Sequence, residues 1–154
     1  VAYPTDDPTV EAILANIRTT LLSIQGAPTY RTTVAGAEHV ALNAVDIKSH
    51  PFVAIGPPEF TFSDGQYRLI ATGMTLTLLA VVHTQTETTK ALRNIMHDVS
   101  LAMRADHTRG GYAKDTHVTA AIPDVPDPDH PLAAVELTLS VDYRHLTTDP
   151  STPL

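Results

Sequence analysis

The chain has 154 residues, 43% of them hydrophobic, a formal net charge of −7 and no cysteine or tryptophan. That length suits one domain with a sizeable core, and the missing cysteines exclude disulfides, thiolate metal sites and a thiol nucleophile. The acidic balance opposes an extended basic patch for nucleic acid or anionic lipid, and the low aromatic content opposes a base-stacking platform. No apolar run approaches the length of a membrane span. The opening VAYPTDDPTVE has neither a basic region nor an apolar signal core, so nothing in it marks the chain for secretion.

Val1 to Asp6 reads as a short extended lead. Asp7-Pro8 then pairs an N-cap residue with proline at the first helical position. Val10, Ile13, Leu14, Ile17, Leu21 and Ile24 form one apolar stripe that Gly26 and Pro28 close off, which predicts a helix from about Pro8 to about Ile24. Thr29 to Val34 (TYRTTV) is β-branched and aromatic and predicts a short strand. Val40 to Ile47 allows a bulged strand or an irregular loop. Phe52 to Ile55 predicts a short apolar strand, ended by Gly56-Pro57-Pro58 because proline cannot continue a ladder. Phe60 and Phe62 alternate with Thr61 and Ser63, then Asp64-Gly65 signals a turn.

Gly73 to Asp106 is the organising stretch. Met74, Leu76, Leu78, Ala80 and Val82 share one parity, the two-residue period of a strand. Leu79 and Val81 make the other face partly apolar, which predicts cover by a helix or a second subunit. Gly73 is a candidate bulge. The period then changes to helical, with Leu92, Ile95, Met96, Val99, Ala102 and Met103 on one side. Thr84 and Glu87 have capping-box spacing, and Thr86 competes as N-cap. Gly110-Gly111 marks a loop from His107 to Asp115, and Thr116 to Ile122 predicts a strand. Pro123 to Pro131 holds four prolines and three aspartates and predicts an exposed connection. Val135, Leu137, Leu139, Val141 and Tyr143 then alternate with polar residues, the cleanest strand in the chain. Residues 1–146 make one α+β domain, with a mostly antiparallel sheet carrying two helices on a face. Residues 147–154 make a flexible polar tail.

Candidate chemistry is sparse. The eight histidines form no helical metal pair. No nucleophile elbow or phosphate-binding loop is present. Gly110-Gly111-Tyr112 follows a helix, which is the wrong context for a dinucleotide. His97-Asp98 could be an acid/base pair, but adjacent helical residues diverge by about 100°, which favours a solvated polar face. Asp124, Asp127 and Asp129 lack the calcium-loop pattern. No catalytic residue, metal ligand or cofactor is therefore expected, and the pattern suits a structural protein.

The order of segments carries a resemblance. EAILANIRTTLLSIQGAP, YRTTV, PFVAIGPPE, the long strand into ALRNIMHDVSLAMRAD, HTRGGYAKDTHVTAA and the last alternating strand together resemble the tail-terminator (minor tail, tail-completion) proteins of long-tailed bacteriophages and phage-like particles. The resemblance spans about Pro8 to Leu146. Its most suggestive piece is the helix followed by Asp106-His107-Thr108-Arg109-Gly110-Gly111; Asp98 matches a polar helix face. The long Pro/Asp loop and the tail are particular to this chain. The resemblance implies a non-enzymatic virion protein, made in the host cytoplasm, that forms a homohexameric ring at the head-proximal end of the tail. That ring would contact the tail-tube protein and the head–tail connector or neck protein. Genomic DNA would pass without specific binding, and no membrane or cofactor is implied. Candidate contacts are Pro57, Pro58, Phe60, Arg109, Tyr112, Lys114, Pro150 and Leu154, chosen from turn-rich segments and the tail. Competing readings are another neck or tail-tube component, or a cytosolic α+β enzyme or small-ligand-binding domain. In the last case His83, Arg104, His117 and Asp142 would converge.

Overall fold

The computed structural model describes residues 9–39, 51–64, 69–83, 88–124, 132–146 and 149–153. The predicted lead and Asp7-Pro8 cap, the Val40–Ile47 segment, the Gly65 turn, the Thr84–Glu87 cap and most of the Pro/Asp connection lie outside them. The element order is α1 (Thr9–Leu22), β1 (Gly36–His39), β2 (Phe52–Ile55), β3 (Glu59–Asp64), β4 (Leu69–His83), α2 (Thr88–Ala105), β5 (Asp115–Asp124), β6 (Leu132–Leu146) and β7 (Asp149–Pro153). The domain is α+β, with two helices on a single, mostly antiparallel sheet.

Two 15-residue strands form the axis of the sheet, each keeping one apolar parity along most of its length. β4 and β6 pair antiparallel along their whole length, from Leu69 opposite Leu146 to His83 opposite Leu132. The other edge of β4 is shared by two short strands in line. β3 takes Ile70 to Thr75 and β2 takes Leu78 to Val81. Gly56-Pro57-Pro58 separates them, and the Gly56 amide still donates to Thr77 O at 2.8 Å. The far edge of β6 is divided in the same way between β5 and β7. Beyond β2 lies β1, the one parallel pairing among the described residues.

Register decides which side chains meet. Met74, Leu76, Leu78, Ala80 and Val82 stand opposite Val141, Leu139, Leu137, Val135 and Ala133, and all ten are buried. Ile13, Ile17 and Leu21 of α1 and Leu92, Ile95, Val99 and Met103 of α2 close over this face in the same cluster. Full burial of each such side chain contributes roughly 1.5–3 kcal/mol, so neither helix needs intrinsic stability.

Three sequence expectations change. Thr29–Val34 is not a strand: Arg31 and Thr32 donate their amides to the Asp98 carboxylate instead of a ladder, and only Thr33 makes an isolated bridge, to Gln25. The strand falls at Gly36–His39, where the sequence pattern is weak. Gly73 is no bulge, because register runs unbroken through it on both sides. A side chain there would bring its Cβ to 2.7 Å from Thr61 Oγ1, so close packing explains the glycine. The irregularity lies instead in β5, between Val118 and Ala120. Lastly, the supposed flexible tail pairs with the end of β6 through Asp149 and Pro153.

The Gly73 geometry sets a test. Gly73→Ala is expected to cost about 1–3 kcal/mol by overpacking, and adding Thr61→Ala should recover at least ~0.5 kcal/mol of it. Urea denaturation of the two single variants and the double variant measures that coupling.

Candidate functional site

The side chains picked out as chemistry act as fasteners. Asp98 sits on α2 and is fully buried, not solvated. Its Oδ2 accepts from the Arg31 amide at 2.9 Å, the Thr32 amide at 2.7 Å and the Thr32 hydroxyl at 2.5 Å. His97 Nδ1 lies 3.3 Å from the other oxygen. Burial pushes the Asp98 carboxyl up, but the Thr32 hydroxyl and the two amides outweigh it and hold its pKa below the ordinary carboxylate value. One carboxylate thus ties the loop after α1 to the middle of α2.

Arg109 is likewise no partner contact. It is 0% exposed. Its guanidinium folds back under the end of α2, donating to Met103 O at 2.8 Å and to Asp106 O. It also approaches Thr20 Oγ1 at 3.4 Å. These groups satisfy helix-terminal carbonyls and set a cation at the negative helix end. Burial lowers the Arg109 pKa and Asp106 opposes that shift. The backbone turns through φ of 50° at Arg109, 72° at Gly110 and 93° at Gly111, which is why two glycines stand here. Asp106 Oδ2 accepts from the Gly110 amide at 2.8 Å.

The ligand-binding alternative loses its convergent set. His83 and Asp142 lie far apart along the β4–β6 ladder, since Asp142 faces Gly73 and His83 faces Leu132. Ten residues of strand put them roughly 33 Å apart. Asp115 does gather two histidines, His117 Nε2 at 2.8 Å and His107 Nδ1 at 3.6 Å. All three are well exposed, and among the described residues no such group is arranged to hold a metal ion. A cleft of about 600 Å³ lies between α1 and the end of β2, lined by Leu14, Arg18, His39, Ile55, Pro57 and Pro58 among others.

What remains is surface suited to association. Pro57, Tyr112 and Lys114 are exposed and Pro58 is half-buried. Pro150 is in β7, but its side chain and all of Leu154 lie outside the described residues. Phe60 is 38% and Phe62 67% exposed. Their alternation predicts a buried face, and they do share the helix-bearing face, opposite Met74 and Thr72. Neither ring is covered. On the other side of the sheet Ile122 is 64% exposed, opposite Glu136, which is opposite Leu79. Sequence reasoning passed over Phe62 and Ile122 because alternation shows parity and not cover.

No family model matches the chain, and no curated protein matches it. Among solved structures it is similar to a chain from the virion of a native gene transfer agent particle. Identity is 12%, the match spans 88% of this chain and 90% of that one, and the TM-score is 0.48.

The Asp98 fastener predicts a pH dependence. Its folded pKa lies below the unfolded value of about 3.9, so its contribution is complete above that value and is lost as pH falls through the folded pKa. Thermal unfolding between pH 7 and pH 2 should show stability falling below about pH 4, and Asp98→Asn should flatten that fall. Asp98→Ala leaves two amides unpaired and should cost about 1–3 kcal/mol for each.

Proposed function

We propose that this chain is a structural virion protein, and within that class a tail terminator. Its copies form a six-fold ring on the last ring of the tail tube, end tube growth and join the tail to the head connector. The observation that carries this reading is the one-sided build of the subunit. Both helices lie on one face of the sheet, while neither reaches the face bearing Leu79 and Ile122. A heterologous contact between such subunits closes a ring if its rotation closes, and a ring cannot grow sideways. The resemblance of the segment order to tail terminators supplies the particular ring. In this reading the chain catalyses nothing, and its acidic charge of −7 per copy lets DNA pass without adhering.

The cleft beside α1 favours a second reading, a small-ligand-binding domain, since its volume of about 600 Å³ falls within the range of ligand sites.

Imaging of particles and of the purified chain with tail tubes separates the two readings. The terminator reading expects six-fold rings at the head-proximal end of the tail and overlong tubes in particles made without this chain. Normal tail lengths without it, with a chain that stays off tubes, would overturn that reading.

A further inference from the structure

We infer that β3 is a self-complementary sheet edge, and that two copies of the chain join through antiparallel β3–β3 pairing centred on Thr61. The inference is independent of the ring and concerns the free chain.

Three of the four outer strands carry devices that block further pairing. On β1, Arg18 Nε donates to Ala37 O at 2.9 Å and Arg18 Nη2 to Glu38 Oε1 at 2.8 Å, which occupies that edge. β5 has its irregularity after Val118, and Pro123 near its end. β7 contains Pro150 and Pro153. β3 has none of these. Its six residues pair with β4 in unbroken register, it contains no proline or lysine, and it has no second strand partner among the described residues. Natural sheets protect such edges; the charges of β3, Glu59 and Asp64, stand at its two ends, so its middle, bearing two phenylalanines, marks a pairing site.

The sequence Glu59-Phe60-Thr61-Phe62-Ser63-Asp64 selects the partner. Antiparallel pairing about Thr61 sets Phe60 of each copy opposite Phe62 of the other, on the same face. The two rings of one copy already stack at 6.1 Å with their planes 12° apart, so the pair would make one four-ring cluster. Charge fits the same register. Glu59 falls opposite Ser63 and Asp64 opposite Pro58, so no carboxylate meets another across the pair. The outline also fits. Among the described residues β1 lies beside β2 and none lies beside the outer edge of β3. A phenylalanine offers about 150–250 Å², so rings 38% and 67% exposed bring about 200 Å² of apolar surface per copy. That is well under the ~800 Å² per partner of a standard interface, so the dimer is weak.

The absence of native cysteine gives a direct test. Thr61→Cys, placed on the two-fold axis, should oxidise to a covalent dimer at least tenfold faster than Thr75→Cys or Thr119→Cys, which are exposed on neighbouring parts of the sheet. Adding Phe62→Lys should slow that cross-linking at least tenfold while leaving the thermal midpoint within a few degrees, because Phe62 is outside the core. Equal rates at Thr61 and Thr75, or cross-linking indifferent to Phe62→Lys, would overturn the inference. So would ladders longer than a dimer from the Thr61→Cys, Thr119→Cys double variant with no dimer from Thr61→Cys alone, since that pattern means head-to-tail pairing. Failure here leaves the ring reading standing, because the assay contains no tube.

Discussion

The ladder between β4 and β6 is the constraint on which the other elements depend. Its fifteen facing pairs fix one parity of two long strands toward the helices, and a slip by one residue would turn every core side chain of one strand outward. The core pairs are bulky and apolar, from Met74 with Val141 to Val82 with Ala133. The opposite parity mixes Thr75, Thr77, Thr138 and Ser140 with Leu79 and Val81. This asymmetry rules out the slipped register and leaves the sheet with one helical layer.

Length has a second consequence. Each long strand outruns its remaining neighbour, so β2 with β3 and β5 with β7 are needed to cover the outer edges. The Gly56-Pro57-Pro58 break is where one neighbour ends and the next begins, and the Gly56 amide bond to Thr77 O keeps the two in line. The helices cannot follow the ladder to its end. α2 spans eighteen residues, about 27 Å at 1.5 Å each, whereas fifteen strand residues extend about 50 Å. Phe60 and Phe62 lie at the β3 end of that span, on the helix-bearing face, and stay exposed.

What the sequence made legible follows from the range of the forces involved. Periodicity is local, so α1, α2, β2, β4 and β6 could be read from their own residues, as could the α+β class. Contacts between distant segments were not legible. Nothing near Arg31 and Thr32 announces that a carboxylate 67 and 66 residues away takes their amides, so TYRTTV reads as a strand by propensity and folds as a loop. Arg109 beside two glycines reads as a surface loop residue, yet it caps the helix before it. The exposed rings of β3 have the same origin, since a two-residue period states which face a side chain is on and says nothing of what lies over it.

Asp98 and Arg109 show what two conspicuous polar residues do in this fold. The Asp98 carboxylate, with three donors on one oxygen, has no exposed surface, and the Arg109 guanidinium is buried against helix-end carbonyls. Both are used in joining α2 to its surroundings, one at its middle and one at its end. They tie down the layer that backs the sheet, and a surface already ordered meets a partner at lower entropic cost. The described polar interior thus joins elements of the scaffold, and the exposed apolar side chains, Phe60, Phe62 and Ile122 among them, stand at its strands' outer parts.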